Sequence, residues 1–214
     1  MKIHQQQALD AHSEVKRFMS RACTGDVGAI RAQVAGGFDL NGSNQFGDTL
    51  LEYAISALEF YPEAPKYAVV EEMLRLGADP NGLSQDGSGP LFAAVLNMDS
   101  EMVRLLLDAG ADPNVVRIRI DGSVESLYDL ARSAYCYEIW KDHPSEEVVL
   151  AEREEEDAWL RHLARLAVKY DKKRPEHLQL LRERGALSLL ELRSKTRAKA
   201  RARAAPISHA LKSM

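Results

Sequence analysis

Apolar side chains recur at helical spacing in three stretches of the chain, and a glycine follows each stretch. Residues three and four positions apart lie on the same face of a helix, so this spacing predicts three amphipathic helices. A glycine just past the last apolar position suits a helix end with positive φ. The apolar positions are Val27, Ile30 and Val34, then Val69, Val70, Met73 and Leu74, then Met102, Val103, Leu106 and Leu107.

The three glycines open short segments that resemble one another. Residues 37–41 read GFDLN, and residues 77–81 and 110–114 both read GADPN, so the closing asparagines are 40 and 33 residues apart. Recurrence of a segment at spacings of this size is typical of a chain built from repeated structural units.

A second, shorter helix is predicted ahead of the last two of these helices. In residues 86–97, which read DGSGPLFAAVLN, Gly89 is the expected N-cap and Pro90 the first helical residue. In residues 47–57, which read GDTLLEYAISA, Thr49 is the expected capping residue. Each unit is therefore a turn, a short helix, a second helix and a glycine.

This unit resembles the ankyrin repeat. Residues 86–114 match that pattern almost position for position, and residues 46–81 match it with about seven extra residues between the helices. The segment from Phe18 to Asn41 resembles a degenerate first repeat. The resemblance implies an all-α solenoid of about four helix-turn-helix repeats with short β-hairpin fingers, and an inserted or appended C-terminal helical region.

The fourth unit departs from the pattern twice. Residues 115–126 are longer than a usual finger and alternate around Asp121-Gly122, which predicts a β-hairpin. The second helix and glycine, within residues 175–187, come about forty residues late, after an acidic helix predicted in residues 146–170. Two interpretations remain open: an insertion within a fourth repeat, or a separate helical region. We divide the chain into repeats (1–137), acidic helical insertion with a capping repeat (138–192) and a basic flexible tail (193–214).

Charge is distributed unevenly along the chain. The net charge is −4, yet the segment from Arg193 to the C-terminus has seven basic residues and no acidic one, which leaves −11 on the preceding residues. An acidic body favours a basic protein partner, such as a toxin or enzyme, and disfavours nucleic acid except at the basic tail. Glu154, Glu155 and Glu156 belong to the acidic run that we expect to steer such a partner.

Patterns that signal catalysis are missing from the sequence. The six histidines and two cysteines show no metal-ligand spacing, and no phosphate-binding or nucleophile motif occurs, so we expect no enzyme activity, no metal and no cofactor. No apolar run is long enough for a bilayer, and the N-terminus lacks the apolar core of a secretion signal. We therefore expect a cytoplasmic protein with no membrane partner, with Cys23 and Cys136 as packed thiols.

The resemblance to ankyrin repeats also suggests which residues bind a partner. Ankyrin repeats offer a concave surface, made of finger tips and the exposed faces of the first helices. Phe46 stands out there, because the family usually has an aspartate at this position. Phe60, Tyr61 and Tyr67 are predicted to fold over helix ends, with partner binding as the alternative. The other candidates on the fingers and first helices are Gln45, Asp48, Ser56, Gln85, Asp86, Ser88, Leu96, Arg117 and Arg119.

These features predict a protein–protein interaction module. The first hypothesis is a chain that inhibits or sequesters one partner, similar to bacterial immunity proteins that neutralise a cognate toxin. The alternative is a general ankyrin scaffold or regulatory adaptor without an inhibitory role. In both hypotheses the chain is expected to be a monomer when free.

Overall fold

Helices dominate the structure and pack side by side in two rows. The computed structural model describes residues 2–119, 121–141 and 156–204. In chain order the elements are α1 (Lys2–Thr24), α2 (Val27–Ala35), α3 (Leu50–Leu58), α4 (Lys66–Arg75), α5 (Pro90–Leu96), α6 (Ser100–Asp108), β1 (Val116–Ile118), β2 (Val124–Ser126), α7 (Leu127–Trp140), α8 (Glu156–Lys169), α9 (Glu176–Glu183) and α10 (Leu189–Ala204).

The first helices of successive repeats form one row, in which α3 packs between α1 and α5, and α5 packs against α7. The second row contains α4, α6 and α9 in contact order. Fully buried alanines, Ala54, Ala94 and Ala131, occupy equivalent positions in α3, α5 and α7, because only a small side chain lets neighbouring helices approach closely. This arrangement confirms the predicted all-α repeat solenoid.

The starts of the first helices follow the predicted capping pattern. Thr49 Oγ1 accepts a hydrogen bond from the backbone N–H of Glu52 at 3.2 Å. In the third repeat Gly89 caps α5 without a side chain, because a Cβ at that position would lie 2.6 Å from the carbonyl oxygen of Gly82. Close approach of two backbones, rather than turn geometry, therefore requires this glycine.

The asparagine that closes each repeat binds the backbone of the next one. Asn41 donates to Gly77 O at 3.1 Å and accepts from Asp79 N at 2.8 Å. Asn81 makes the same pair of bonds to the third repeat, at 3.0 and 2.7 Å. These side chains hold successive repeats in a constant register.

Asn114 extends this ladder across the long interval in the sequence. Its side chain donates to Gly185 O at 3.1 Å and accepts from Leu187 N at 3.0 Å. The helix that ends there, α9, packs against α6 and α7 in the place of a second helix. Of the two open interpretations, the structure therefore favours a fourth repeat with its halves separated in sequence.

The structure also describes the two remaining predicted features, the β-hairpin of the last finger and the basic tail. β1 and β2 form the predicted antiparallel hairpin, with Arg117 opposite Glu125. Of the tail predicted to be flexible (193–214), the residues through Ala204 belong to α10, and residues 205–214 lie outside the described residues. The first turn of α10 is held by Glu191, whose carboxylate accepts a hydrogen bond from Arg182 at 2.9 Å.

No helix within the described ranges has the length and apolar character required to span a membrane.

Gly110, which follows α6, provides a test of the repeat ending. Its φ is +92°, and no heavy atom beyond its own chain neighbours lies within 4 Å of the place where a Cβ would be. A side chain at this position therefore destabilises the fold through backbone strain at positive φ and not through a steric clash. Gly110→Val is expected to lower the free energy of unfolding by more than about 1 kcal/mol in urea titrations, because a β-branched residue resists positive φ. Gly110→Asn is the control, and an unchanged midpoint for Gly110→Val would contradict the interpretation.

Candidate partner-binding surface

Most of the predicted contact residues of the fingers and first helices are accessible to solvent. Gln45, Phe46, Gln85, Asp86 and Arg119 are exposed on the fingers, and Ser56 and Leu96 are exposed on α3 and α5, whereas Asp48 and Arg117 are half-buried. Ser88 is an exception, since only 7% of its surface is exposed. Its backbone N–H donates to Asp86 Oδ1 at 2.9 Å, so Ser88 stabilises the finger and the prediction of an exposed contact is wrong there.

Local hydrogen bonds in the finger of residues 43–49 explain why Phe46 points outward. Asn44 Oδ1 accepts from Phe46 N at 2.8 Å and from Asp48 N at 3.0 Å, which closes a tight turn. The next finger stacks on this turn, with Gln85 N donating to Gly47 O at 2.9 Å. The ring of Phe46 stays outside this bonded network and is 68% exposed.

Beside Phe46 lies a groove of about 450 Å³ between α1 and α3, here called the α1–α3 groove. Its apolar lining includes Val15, Met19, Cys23, Phe46, Tyr53 and Tyr61. Among these, Val15, Met19, Cys23 and Tyr53 were not predicted as contact residues, and Cys23 was predicted as a packed thiol. Tyr53 is half-buried and packs against the core from α3. The wall on α1 depends on how two distant segments pack.

The three aromatic residues between α3 and α4 have different surroundings. Tyr67 donates its hydroxyl to Asp99 Oδ1 at 3.1 Å, as expected for a residue folded over helix ends. Tyr61 is 49% exposed and lines the α1–α3 groove, whereas Phe60 is 84% exposed and does not line it. Only Tyr61 therefore joins the candidate surface.

Three carboxylates, those of Asp48, Glu52 and Asp86, lie near one another on α3 and the two neighbouring fingers. Glu52 is half-buried on α3 and accepts a hydrogen bond from the Ser84 hydroxyl. Burial raises the pKa of Glu52, and the charges of Asp48 and Asp86 act in the same direction. Burial opposes ionisation of Asp86, but hydrogen bonds from Ser88 lower the pKa of Asp86 below its usual value. None of these carboxylates lines the α1–α3 groove, and Asp86 lines a separate pocket together with Arg117.

The two arginines of the last finger are engaged within the hairpin. Arg117 and Arg119 both contact Glu125, at 3.2 and 3.3 Å, as expected for residues that share one face. The guanidinium of Arg117 also lies 5.2 Å from the centroid of the Phe92 ring. Their positive charge is therefore partly neutralised by the same carboxylate.

The remaining candidates lie at the limit of the described chain. Glu154 and Glu155 fall outside the described residues, and Glu156 opens α8 with its side chain outside them. Across 2–119, 121–141 and 156–204, no three histidine, cysteine or carboxylate side chains form a group suited to a metal ion. Burial raises the pKa of the Cys23 thiol, which disfavours the thiolate that a nucleophile requires.

Comparison with known proteins agrees with the repeat geometry. The ankyrin repeat family matches residues 86–118. Over 110 residues the chain is 35% identical to Protein PhlB of Serratia liquefaciens. That match covers 50% of this chain and 43% of the relative, so the matched part spans less than half the length of PhlB.

The family match covers the third repeat, whose two helices, finger and closing asparagine are the pattern on which the other repeats are built. The same asparagine bonds connect the repeats on either side of it. Ankyrin repeats are protein–protein interaction modules. The chain is an ankyrin repeat protein.

Proposed function

We propose that the chain binds one protein partner on its concave surface and inhibits or sequesters it, as an immunity protein does with a cognate toxin. The observation that carries this proposal is the α1–α3 groove, with Phe46 exposed at its edge. Keeping the large apolar ring of Phe46 in water costs free energy, and no contact within the finger requires a phenylalanine at this position. Burial by a partner would recover that free energy.

The shape of the surface supports one dedicated partner rather than many. A groove with aromatic residues on two walls constrains the shape of what binds. A general adaptor would recover several proteins in similar amounts, and this alternative is an outcome of the experiment below.

Affinity purification of the tagged chain from its own host tests the proposal. We expect one protein at stoichiometric yield with the wild type, and at least tenfold weaker binding with the double variant Phe46→Ala, Asp86→Ala. Phe60→Ala is the matched control, because Phe60 is another exposed phenylalanine that does not line the α1–α3 groove. Equal loss of binding in both variants, or none in either, would contradict the concave surface as the binding site.

Inhibition is tested separately from binding. The captured protein is expressed in a heterologous host, alone and together with the chain, and growth is measured. We expect growth arrest that wild-type chain relieves and that the double variant relieves poorly. A captured protein whose activity is unaffected by saturating chain would favour the adaptor function instead.

The acidic run is proposed to act on the rate of association. Reversing the charges at Glu154, Glu155 and Glu156 is expected to slow association with a basic partner at low salt, with a smaller difference at high salt. Dissociation is expected to change little, because long-range attraction acts on encounter. Stopped-flow measurement with the captured partner distinguishes the two rates, and an unchanged association rate would remove this role.

A further inference from the structure

We infer that the C-terminal part of α10 binds the phosphate backbone of duplex nucleic acid, without preference for base sequence. This part, residues 193–204, is here called the basic half of α10. The inference goes beyond the proposed function, because it assigns a second kind of ligand to a part of the chain outside the α1–α3 groove.

The first turn of α10 is attached to the fourth repeat, and the rest of the helix is not covered. Leu189 N donates to Asp129 Oδ2 at 2.7 Å, and Glu191 accepts from Arg182 at 2.9 Å. Beyond this turn every residue from 193 to 200 is exposed. The part of the chain that the structure describes therefore leaves all sides of this segment open to a ligand.

The basic half of α10 carries positive charge alone. Within the described residues, Arg193, Lys195, Arg197 and Lys199 make no ion pair. The sequence from Arg193 to the C-terminus has seven basic residues and no acidic one. Like charges four positions apart repel one another and destabilise a helix, and no buried apolar side chain offsets that repulsion here. An anionic ligand would relieve it.

The spacing of these charges places them on two opposite sides of the helix. Successive residues of a helix are rotated by about 100°, so Arg193 and Arg197 lie about 40° apart around the axis. Lys195 and Lys199 each lie about 200° from the arginine two positions earlier. The sequence continues the same alternation of basic and short residues to residue 203.

Two opposite basic sides suit the major groove of a duplex. That groove is about 12 Å wide and admits a helix, and a phosphate strand runs along each of its edges. Each basic side of α10 would contact one strand. Ser194, Thr196 and Ala198 occupy the sector between the two sides, and their short side chains let the helix approach the floor of the groove. Phosphate contacts do not report base sequence, so we expect binding without sequence preference.

Other polyanions fit the basic half of α10 less well. A helix on a membrane surface buries a bulky apolar side, whereas alanine is the only apolar residue type in 193–204. A helix in a groove of an acidic protein is likewise held by apolar anchors along one side. Single strands are held by stacking of bases on aromatic rings, and residues 193–204 contain none. Charge complementarity on two sides therefore favours a duplex.

The charge of the rest of the chain confines the duplex to α10. Residues 1–192 have a net charge of −11, which repels phosphate from the body of the repeats. Binding is therefore expected to depend on the cations of α10 and not on exposed cations elsewhere.

Fluorescence anisotropy of a labelled 20-base-pair duplex with the full chain tests the inference. We expect binding at 50 mM NaCl, and an affinity that falls about 100-fold by 200 mM NaCl, as roughly four phosphate contacts predict. A duplex of unrelated sequence should bind within about twofold, and a single strand at least fivefold more weakly.

Two variants with matched charge separate α10 from the general surface. Glutamine replaces four exposed cations of α10 in the test variant, which should weaken binding at least tenfold. The control variant loses four exposed cations elsewhere and should weaken binding less than threefold. Glutamine is about as favourable in a helix as lysine and arginine, so circular dichroism should show unchanged helix content. The test set is Arg193→Gln, Lys195→Gln, Arg197→Gln and Lys199→Gln, and the control set is Lys16→Gln, Arg17→Gln, Arg104→Gln and Arg161→Gln.

Several results would overturn the inference. Equal effects of the two variants, a single strand bound as tightly as the duplex, or tighter binding to phosphatidylserine vesicles would each do so. Absence of duplex binding by the wild type would also overturn it. If binding then appeared after charge reversal at Glu154, Glu155 and Glu156, the acidic run would be neutralising α10 within the chain. The test variant should still capture the protein partner, so failure of the duplex test leaves the proposed function standing.

Discussion

Replacing Trp159 with alanine is expected to lower the free energy of unfolding by roughly 3–5 kcal/mol. Trp159 lies on α8 and is 1% exposed, and the guanidinium of Arg132 lies 4.2 Å from its ring centroid. The substitution removes a large apolar side chain from the core and leaves a cavity that its neighbours fill only partly. Urea titration followed by circular dichroism measures the change.

The other tryptophan of the chain, Trp140, provides the matched control. Trp140, at the end of α7, is 47% exposed, so Trp140→Ala is expected to cost less than about 1 kcal/mol. If both variants lose the same small amount, α8 contributes little to the stability of the repeats, and the segment that precedes α9 would be an independent addition.

Acidification from pH 6.5 to pH 4 is expected to remove roughly 3 kcal/mol of stability through His177 alone. His177 is fully buried in α9, and neither ring nitrogen has a hydrogen-bond partner among the described residues. Burial lowers the pKa of His177 to about 4, and the charge of Lys173 acts in the same direction. The ring of Tyr135 lies 5.5 Å away, which leaves little room for the imidazolium to be hydrated.

The direction of the stability change follows from the pKa of His177 in the unfolded chain, 6.5, and in the folded chain, about 4. Above pH 6.5 the side chain is neutral in the folded and unfolded states, so its protonation costs nothing. Between pH 6.5 and about 4 the unfolded chain binds a proton that the folded chain does not, so stability falls as the pH falls. Carboxylates such as Glu191, whose pKa the Arg182 hydrogen bond holds at about 2, lose their contribution mainly below pH 4.5.

His177→Met is the control for this pH dependence. The equivalent positions in the second and third repeats are Val69 and Met102, both buried, so methionine is the residue that the repeat itself uses there. We expect this variant to keep nearly constant stability between pH 6.5 and 5, as measured by urea titration at each pH. Parallel curves for wild type and variant would show that His177 is not buried in solution.

Local sequence signals predicted most of the repeat. The glycine after α6, the threonine before α3 and the Asp-Gly turn of the last finger act on the backbone within a few residues, so a short stretch of sequence reports each of them. Ser88 shows where this reasoning failed. Its neighbours suggested an exposed turn, but its bond to Asp86 and the stacking of adjacent fingers bury it.

The candidate site was predicted only in part. Phe46, Gln85 and Asp86 stand in finger positions that the repeat pattern identifies from sequence alone. Val15, Met19 and Cys23 could not be assigned to the same site, because α1 reaches α3 only after the repeats have stacked. A groove between two helices has no sequence signal when its walls come from segments some thirty residues apart.

The order of hydrophobic positions, the glycines and the closing asparagines were sufficient to predict the ankyrin class, since these features recur at intervals of 33 to 40 residues in the first three repeats and act locally. Packing alone settled two other matters. Asn114 bonds to Gly185 and Leu187 across an interval of more than seventy residues, which joins α9 to the fourth repeat. The α1–α3 groove likewise arises from contact between repeats. Both depend on which distant surfaces meet, and burial and hydrogen bonding decide that only in the assembled fold.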